Sequence, residues 1–206
     1  MRKRLLALTA LPVIGLAVFF SLPSLLDRKM NSVATPAPYP ASAAAQALHN
    51  SLFVADLHDD QLLWQRGLLK PGTYGHSDLP RQLQAHVALQ VFSTVTKTPR
   101  GLNYERNSAN SDNITLLVMA QRWPRRTWNS LLQRALYQSE KLQQAVADSN
   151  GKLLLIRSKG DLESFILERP QQPERMAAIL ATEGLHPLEG QLDNVDRLYD
   201  AGFRIT

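Results

Sequence analysis

Blocks of apolar residues alternate with polar, periodic stretches along the chain, and they predict strands and helices in turn. Leu52 to Asp56 is a short apolar run read as a first, buried strand, and "HVALQVFSTVT" (86–96) is a second. "KLLLIRS" (152–158) is a third, continuous enough to be buried on both faces, "AAILATEG" (177–184) a fourth, and "FRIT" (203–206) begins a fifth. Between them, Thr127 is placed to cap a helix through about Asp148, with Leu131, Ala135, Leu142 and Val146 on one side. Ser158 and Asp161 resemble a capping box, and Leu192, Val195, Leu198 and Tyr199 form a stripe ending at Gly202, a C′ residue. Strands alternating with helices predict an α/β fold with parallel pairing and right-handed crossovers. An eight-unit barrel takes about 250 residues. Five strand signals after residue 46 therefore predict either a small open sheet or the first part of a (β/α)8 barrel. An apolar last strand left as a bare edge favours the partial barrel.

The N-terminus breaks this alternation. After Arg2, Lys3 and Arg4, the run from Leu5 to Leu26 carries no charge, and Asp27, Arg28 and Lys29 close it. At helical rise such a run reaches about 33 Å, enough for the hydrocarbon core of a bilayer. The basic flank favours a cytoplasmic N-terminus and a domain on the periplasmic or extracellular side. An uncleaved single-pass anchor is the leading expectation. A cleaved signal and a buried core helix are the alternatives, and Ala41-Ser42-Ala43 lies too far downstream for cleavage. Residues 31–45, "NSVATPAPYPASAAA", read as an extended tether. The predicted organisation is an anchor over 1–29, a tether over 30–46 and a domain over 47–206.

Charge narrows the function classes. The net charge is +5, but residues 1–34 supply +4 of it, so the predicted domain holds 18 basic and 17 acidic side chains. A nucleic-acid binder would keep its excess on the folded part, and that class is set aside. The chain has no cysteine, which excludes disulfides, thiolate metal ligands and a cysteine nucleophile.

Candidate chemistry sits at strand ends. "FVADLHDDQLLW" (53–64) places Asp56, His58, Asp59 and Asp60 directly after an apolar run. Charges there need a partner, and a metal ion is a common one. His58 and Asp60 share a face of an extended chain, so H-x-D can offer an imidazole and a carboxylate to one ion. Glu183 ends another apolar run in "ILATEGLHPLEG", and its two oxygens could bridge two cations. Exposed loop polarity for the first motif, and a helix cap or ion pair for Glu183, are the plain alternatives.

Together, "DLHDDQLLW", "GHSDLPRQLQAHVALQVFSTVTKTPRGLNYERN" and "ATEGLHPLEGQLDNVDRLYDAGFRIT" resemble the membrane (renal-type) dipeptidases in their bacterial branch, from about residue 50 onward. The resemblance implies a (β/α)8 barrel with two zinc ions and a dipeptide as substrate. It makes His58 and Asp60 ligands of one zinc and Glu183 the bridge between both, with a water between the ions attacking the peptide carbonyl. The second zinc's two histidines, and a substrate-binding histidine, would fall beyond Thr206. The expectation for these 206 residues is therefore an incomplete site with weak metal binding and little turnover.

The other histidines fit that site less well. His49 and His86 precede strands, His76-Ser77-Asp78 leads into a helix start, and His186 suits the mouth of the site. Asn113-Ile114-Thr115 spells a glycosylation acceptor, but at a helix start capped by Ser111 or Asp112. Arg122, Arg125 and Arg126 around Trp123 and Trp128 read as a solvated face, with an acidic membrane surface as the sharper alternative. The segment 97–113 follows the second strand and would overhang the site. Two other functions stay open: a non-catalytic, anchored α/β binding module, and a related metal-dependent amidohydrolase. The partners expected are a dipeptide and the bilayer through residues 5–26, with a homodimer left open.

Overall fold

Five parallel strands form one sheet in the computed structural model, which describes residues 2–35 and 37–206. A long helix α1 (Arg2–Met30) and a short α2 (Ala43–Ser51) lead into β1 (Val54–Asp59), α3 (Leu79–Gln84) and β2 (Val87–Thr94). Then come α4 (Ile114–Ala120), α5 (Leu131–Asp148), β3 (Leu153–Leu155), α6 (Lys159–Glu168), β4 (Met176–Thr182), α7 (Asp193–Asp200) and β5 (Phe203–Ile205). Short 3₁₀ turns occupy Gln61–Leu63, Arg125–Thr127 and His186–Leu188.

The expected α/β class and parallel pairing hold, but five strands do not follow one another around a barrel. The order is β1-β2-β4-β3, with β5 also paired to β4. β3 pairs with Met176–Ala178 at the start of β4, whereas β5 pairs with Leu180 and Ala181 further along. Two short strands thus share one edge of β4. The progression compatible with a partial barrel is β1-β2-β4-β5, and β3 is an addition beside it. A three-residue strand satisfies only part of its neighbour's ladder, which leaves the rest of that edge for β5.

β2 and β4 are the buried centre, and alternation along them feeds two cores. Phe92, Ala178 and Leu180 pack with Leu132, Ala135 and Leu142 of α5. Leu89, Val91, Ala177 and Ala181 face the other way, toward Phe165 of α6 and Ile156, which follows β3. β1 differs from the expected buried strand at 52–56. It starts later, runs through His58, and is largely exposed. β2 is its only strand partner among the described residues, so no strand among them pairs with its other edge.

Helix ends also depart from the pattern. Ser130, not Thr127, caps α5 by accepting from Gln133 N at 3.1 Å. The Glu189 carboxylate, from the loop after β4, also accepts from Leu132 N at 3.2 Å and satisfies a free N–H of the first turn. On α7 only Asn194 and Leu198 are buried, while Leu192, Val195 and Tyr199 stay exposed. The predicted capping serine of α6 is in place, with Ser158 Oγ accepting from Asp161 N at 3.1 Å.

The expected anchor, Leu5 to Leu26, lies within α1. The side chains of residues 5–12 and of Ile14 fall outside the description. Among the described residues no helix is long and apolar enough to cross a membrane. Pro23 and Asp27 are buried against the domain, so the last turns of α1 dock on it directly.

Candidate metal centre

Parallel strands ending at one rim bring the three predicted donors together, although two of them come from strands that do not touch. β1 carries His58, and Asp60 follows one residue after its end, where the 3₁₀ turn begins. Glu183 follows β4 immediately. β2 lies between the two, in register with β4 from Leu89↔Ala177 to Thr94↔Thr182. Glu183 N donates to the Thr94 carbonyl at 3.4 Å, which ties the glutamate's backbone to the end of β2.

His58 Nε2 lies 2.7 Å from Glu183 Oε1 and 3.3 Å from Asp60 Oδ1. One donor atom from each residue falls within 4.8 Å of the others. The H-x-D spacing acts as extended geometry requires, sending His58 and Asp60 one way and Asp59 the other. Asp59 accepts instead from Ser77 Oγ at 2.6 Å and Gln61 N at 2.7 Å. Asp56 Oδ1 accepts from His58 N at 3.0 Å. Two of the four acidic or imidazole groups in the opening motif therefore serve the backbone and the neighbouring loop.

Ser93 of β2 contributes a contact absent from the sequence reading. Its Oγ lies 3.2 Å from His58 Nδ1. With Nδ1–H donated to that hydroxyl, Nε2 turns its lone pair toward the carboxylates. A serine flanked by Phe92 and Thr94 in a buried strand was the available signal. Gly184 is the other local requirement. Its φ of +76 is one that glycine adopts freely, and a Cβ there would meet the His186 ring at 3.6 Å.

The electrostatics are those of a site short of positive charge. Burial, and then the neighbouring Glu183 carboxylate, push the Asp60 carboxyl up to about 6. Asp60 Oδ1 is buried and accepts no hydrogen bond. An orphaned carboxylate oxygen beside a second carboxylate and an imidazole nitrogen fits a divalent cation, and the N/O donor set suits zinc.

The remaining candidates go elsewhere. His49 Nε2 lies 2.8 Å from the Ala85 carbonyl, and its ring packs edge-on to His86 before β2 begins. Asp78 caps α3 by accepting from Arg81 N at 2.9 Å, so the second H-x-D is a helix start. His186 is exposed in the turn after Glu183. Asp112 provides the cap at α4, accepting from Ile114 N at 2.8 Å, with Asn113 beside it.

Residues 42–206 match the family described as membrane dipeptidase (peptidase family M19). The chain belongs to the membrane dipeptidase family. Family membership makes it a hydrolase of the peptidase class. The match opens at Ser42, the cap of α2, and takes in all five strands and the whole candidate centre, but not α1. No curated protein matches the chain.

Proposed function

We propose that this membrane dipeptidase relative is a zinc-dependent dipeptidase in which His58, Asp60 and Glu183 are the metal ligands. The observation that supports the reading best is the meeting of three donors from two non-adjacent strands within 4.8 Å. When bound, zinc polarises the substrate carbonyl and lowers the pKa of water enough to make a nucleophile at neutral pH.

The residues themselves do the positioning. His58 offers Nε2, held in orientation by Ser93. Asp60 and Glu183 bring negative charge that repels until a cation joins them. Glu183, with two oxygens, is the group that can serve a second ion. Among the described residues, these three form the one cluster able to hold a metal. The 206 residues alone are therefore proposed to hold one zinc and to turn over dipeptides slowly. The charge-free run from Leu5 to Leu26 supports a membrane anchor, with the domain on the periplasmic or extracellular side.

The test pairs zinc binding with hydrolysis. Zinc-dependent cleavage of dipeptides, lost in Glu183→Gln together with zinc binding, is the expected result. Dipeptide cleavage that survives Glu183→Gln and complete chelation would refute the ligand assignment.

A further inference from the structure

The last turns of α1 are clamped to the domain, and the clamp fixes where the domain sits when the helix enters a bilayer. Asp27 is 1% exposed; its carboxylate faces Arg66 at 3.6 Å and accepts from Asn31 Nδ2 at 2.8 Å. One turn earlier, Gln121 Nε2 donates to the Pro23 carbonyl at 3.2 Å. A further turn back, the Arg122 guanidinium lies over Phe19 and Phe20, 5.5 and 5.4 Å from the ring centres. Contacts with the domain thus climb the helix from Asp27 to Phe19.

Helical rise turns those contacts into a position. The stretch from Leu5 to Val18 climbs about 21 Å, short of a hydrocarbon core of about 30 Å, a mismatch met by local thinning of the bilayer and by snorkelling of the basic side chains that flank the run. Inserting more of the helix carries Arg122 toward the core with it, and a guanidinium does not enter hydrocarbon cheaply. The boundary therefore falls at Phe19 and Phe20, where aromatic rings and arginines are at home at a membrane interface. Arg122 and Arg125 are exposed and make no ion pair with a carboxylate among the described residues, whereas Arg126 pairs with Glu140. Arg28 and Lys29, likewise exposed and unpaired with carboxylates among those residues, lie on the next turns of the same helix end.

From this, and resting on the anchor reading above, we infer that the face carrying Arg122 and Arg125 lies on the membrane, against anionic phospholipid headgroups. The domain is pressed to the bilayer by the Asp27–Arg66 clamp, and residues 30–46 run on toward α2 without serving as a spacer. Uncharged helix for hydrocarbon, rings at the boundary and unpaired guanidiniums for phosphate are complementary to that surface in order.

The absence of cysteine makes single labels clean. The full chain is reconstituted into phosphatidylcholine vesicles with and without phosphatidylglycerol, carrying an environment-sensitive fluorophore at Asn129→Cys or at Glu163→Cys. Asn129 is exposed beside the arginines, and Glu163 is exposed on α6, which covers the other face of the sheet. Headgroup-borne quenchers are expected to quench at 129 and not at 163. The contact should weaken roughly fivefold for each of Arg122→Gln and Arg125→Gln, and by more without phosphatidylglycerol, which removes the attraction on both arginines at once. Asp27→Asn should abolish the quenching at 129 while the chain stays with the vesicles. Equal quenching at both positions in a chain that floats with the vesicles would overturn the placement alone. A chain that fails to float would overturn the anchor and this placement with it.

Discussion

Arg134 and the His58–Asp60–Glu183 trio are both charged clusters, yet one is satisfied and the other is not. Arg134, 1% exposed on α5, uses its whole guanidinium. Nε donates to the Thr127 carbonyl at 2.8 Å, Nη1 to the Thr96 carbonyl and Asp112 Oδ2, both at 2.7 Å. Nη2 donates to Thr115 Oγ1 at 2.6 Å and the Trp128 carbonyl at 2.8 Å. Burial alone would raise the Asp112 carboxyl, but the bonds from Arg134, Thr115 and Ile114 N, with the arginine's charge, hold it below the ordinary carboxylate range. At the rim, two carboxylates share one imidazole, and Asp60 Oδ1, 3.3 Å from that ring's Nε2, accepts no hydrogen bond. A buried charge with all its partners is structure. A half-buried cluster with a partner missing is a place for a ligand.

The contrast breaks most visibly at Arg134. Arg134→Ala strands Asp112 and three backbone carbonyls, and is expected to cost about 3–5 kcal/mol in urea unfolding. It should also loosen segment 97–113, whose two ends the arginine holds, as read by faster hydrogen exchange there. A loss under 1 kcal/mol, on the scale of an exposed pair, would remove the distinction between the two clusters.

Glu183→Gln should do the opposite to the apo protein, leaving its stability unchanged or slightly raised because a like charge beside Asp60 is gone. Its effect should appear only with metal. Zinc at a hundredfold excess over Kd stabilises the native protein by about 2.7 kcal/mol, and the variant should gain none of this. Destabilisation of the apo variant would make Glu183 a structural residue. Ser93→Ala tests the support of His58, with zinc affinity expected to fall by about 10–100-fold, read by calorimetry.

The smallest effect is the pH dependence, and the two clusters differ in sign. The Asp60 pKa rises from 3.8 to about 6 on folding, so the folded apo protein binds the extra proton between those values. Apo stability should therefore fall as pH rises through that window, and Asp60→Asn should lack the fall. Zinc affinity should rise over the same window, because the carboxylate must lose its proton to bind. Asp112, with a lowered pKa, contributes stability that is present above 3.8 and lost as pH drops below it. Apo stability that moves with the same sign through both windows would contradict the comparison.

Residue pattern made part of this legible. His58, Asp60 and Glu183 stood out because each charge follows an apolar run, and strand periodicity gave His58 and Asp60 a common face. Their meeting depended on β2 lying between β1 and β4, which no local pattern encodes. The short run at 153–155 looked equal to the other strands, and only pairing geometry reduces it to an edge piece beside β4. Arg134 went unremarked because arginine is ordinary on a helix. Its position, one turn before Gln138 on the face that holds Leu142 and Ala145, was the signal that it enters the core. Asp27 read as the closing charge of an apolar run, when it is the residue that pins α1 to Arg66.

The central claim is that the rim cluster is completed by a cation. Calorimetric titration of the full chain with zinc, beside the Asp60→Asn and Glu183→Gln variants, tests it most directly. One zinc per wild-type chain, with binding abolished in both variants while their unfolding midpoints hold, is the result this account predicts. Zinc binding of equal strength in all three proteins, or none in the wild type, would contradict it.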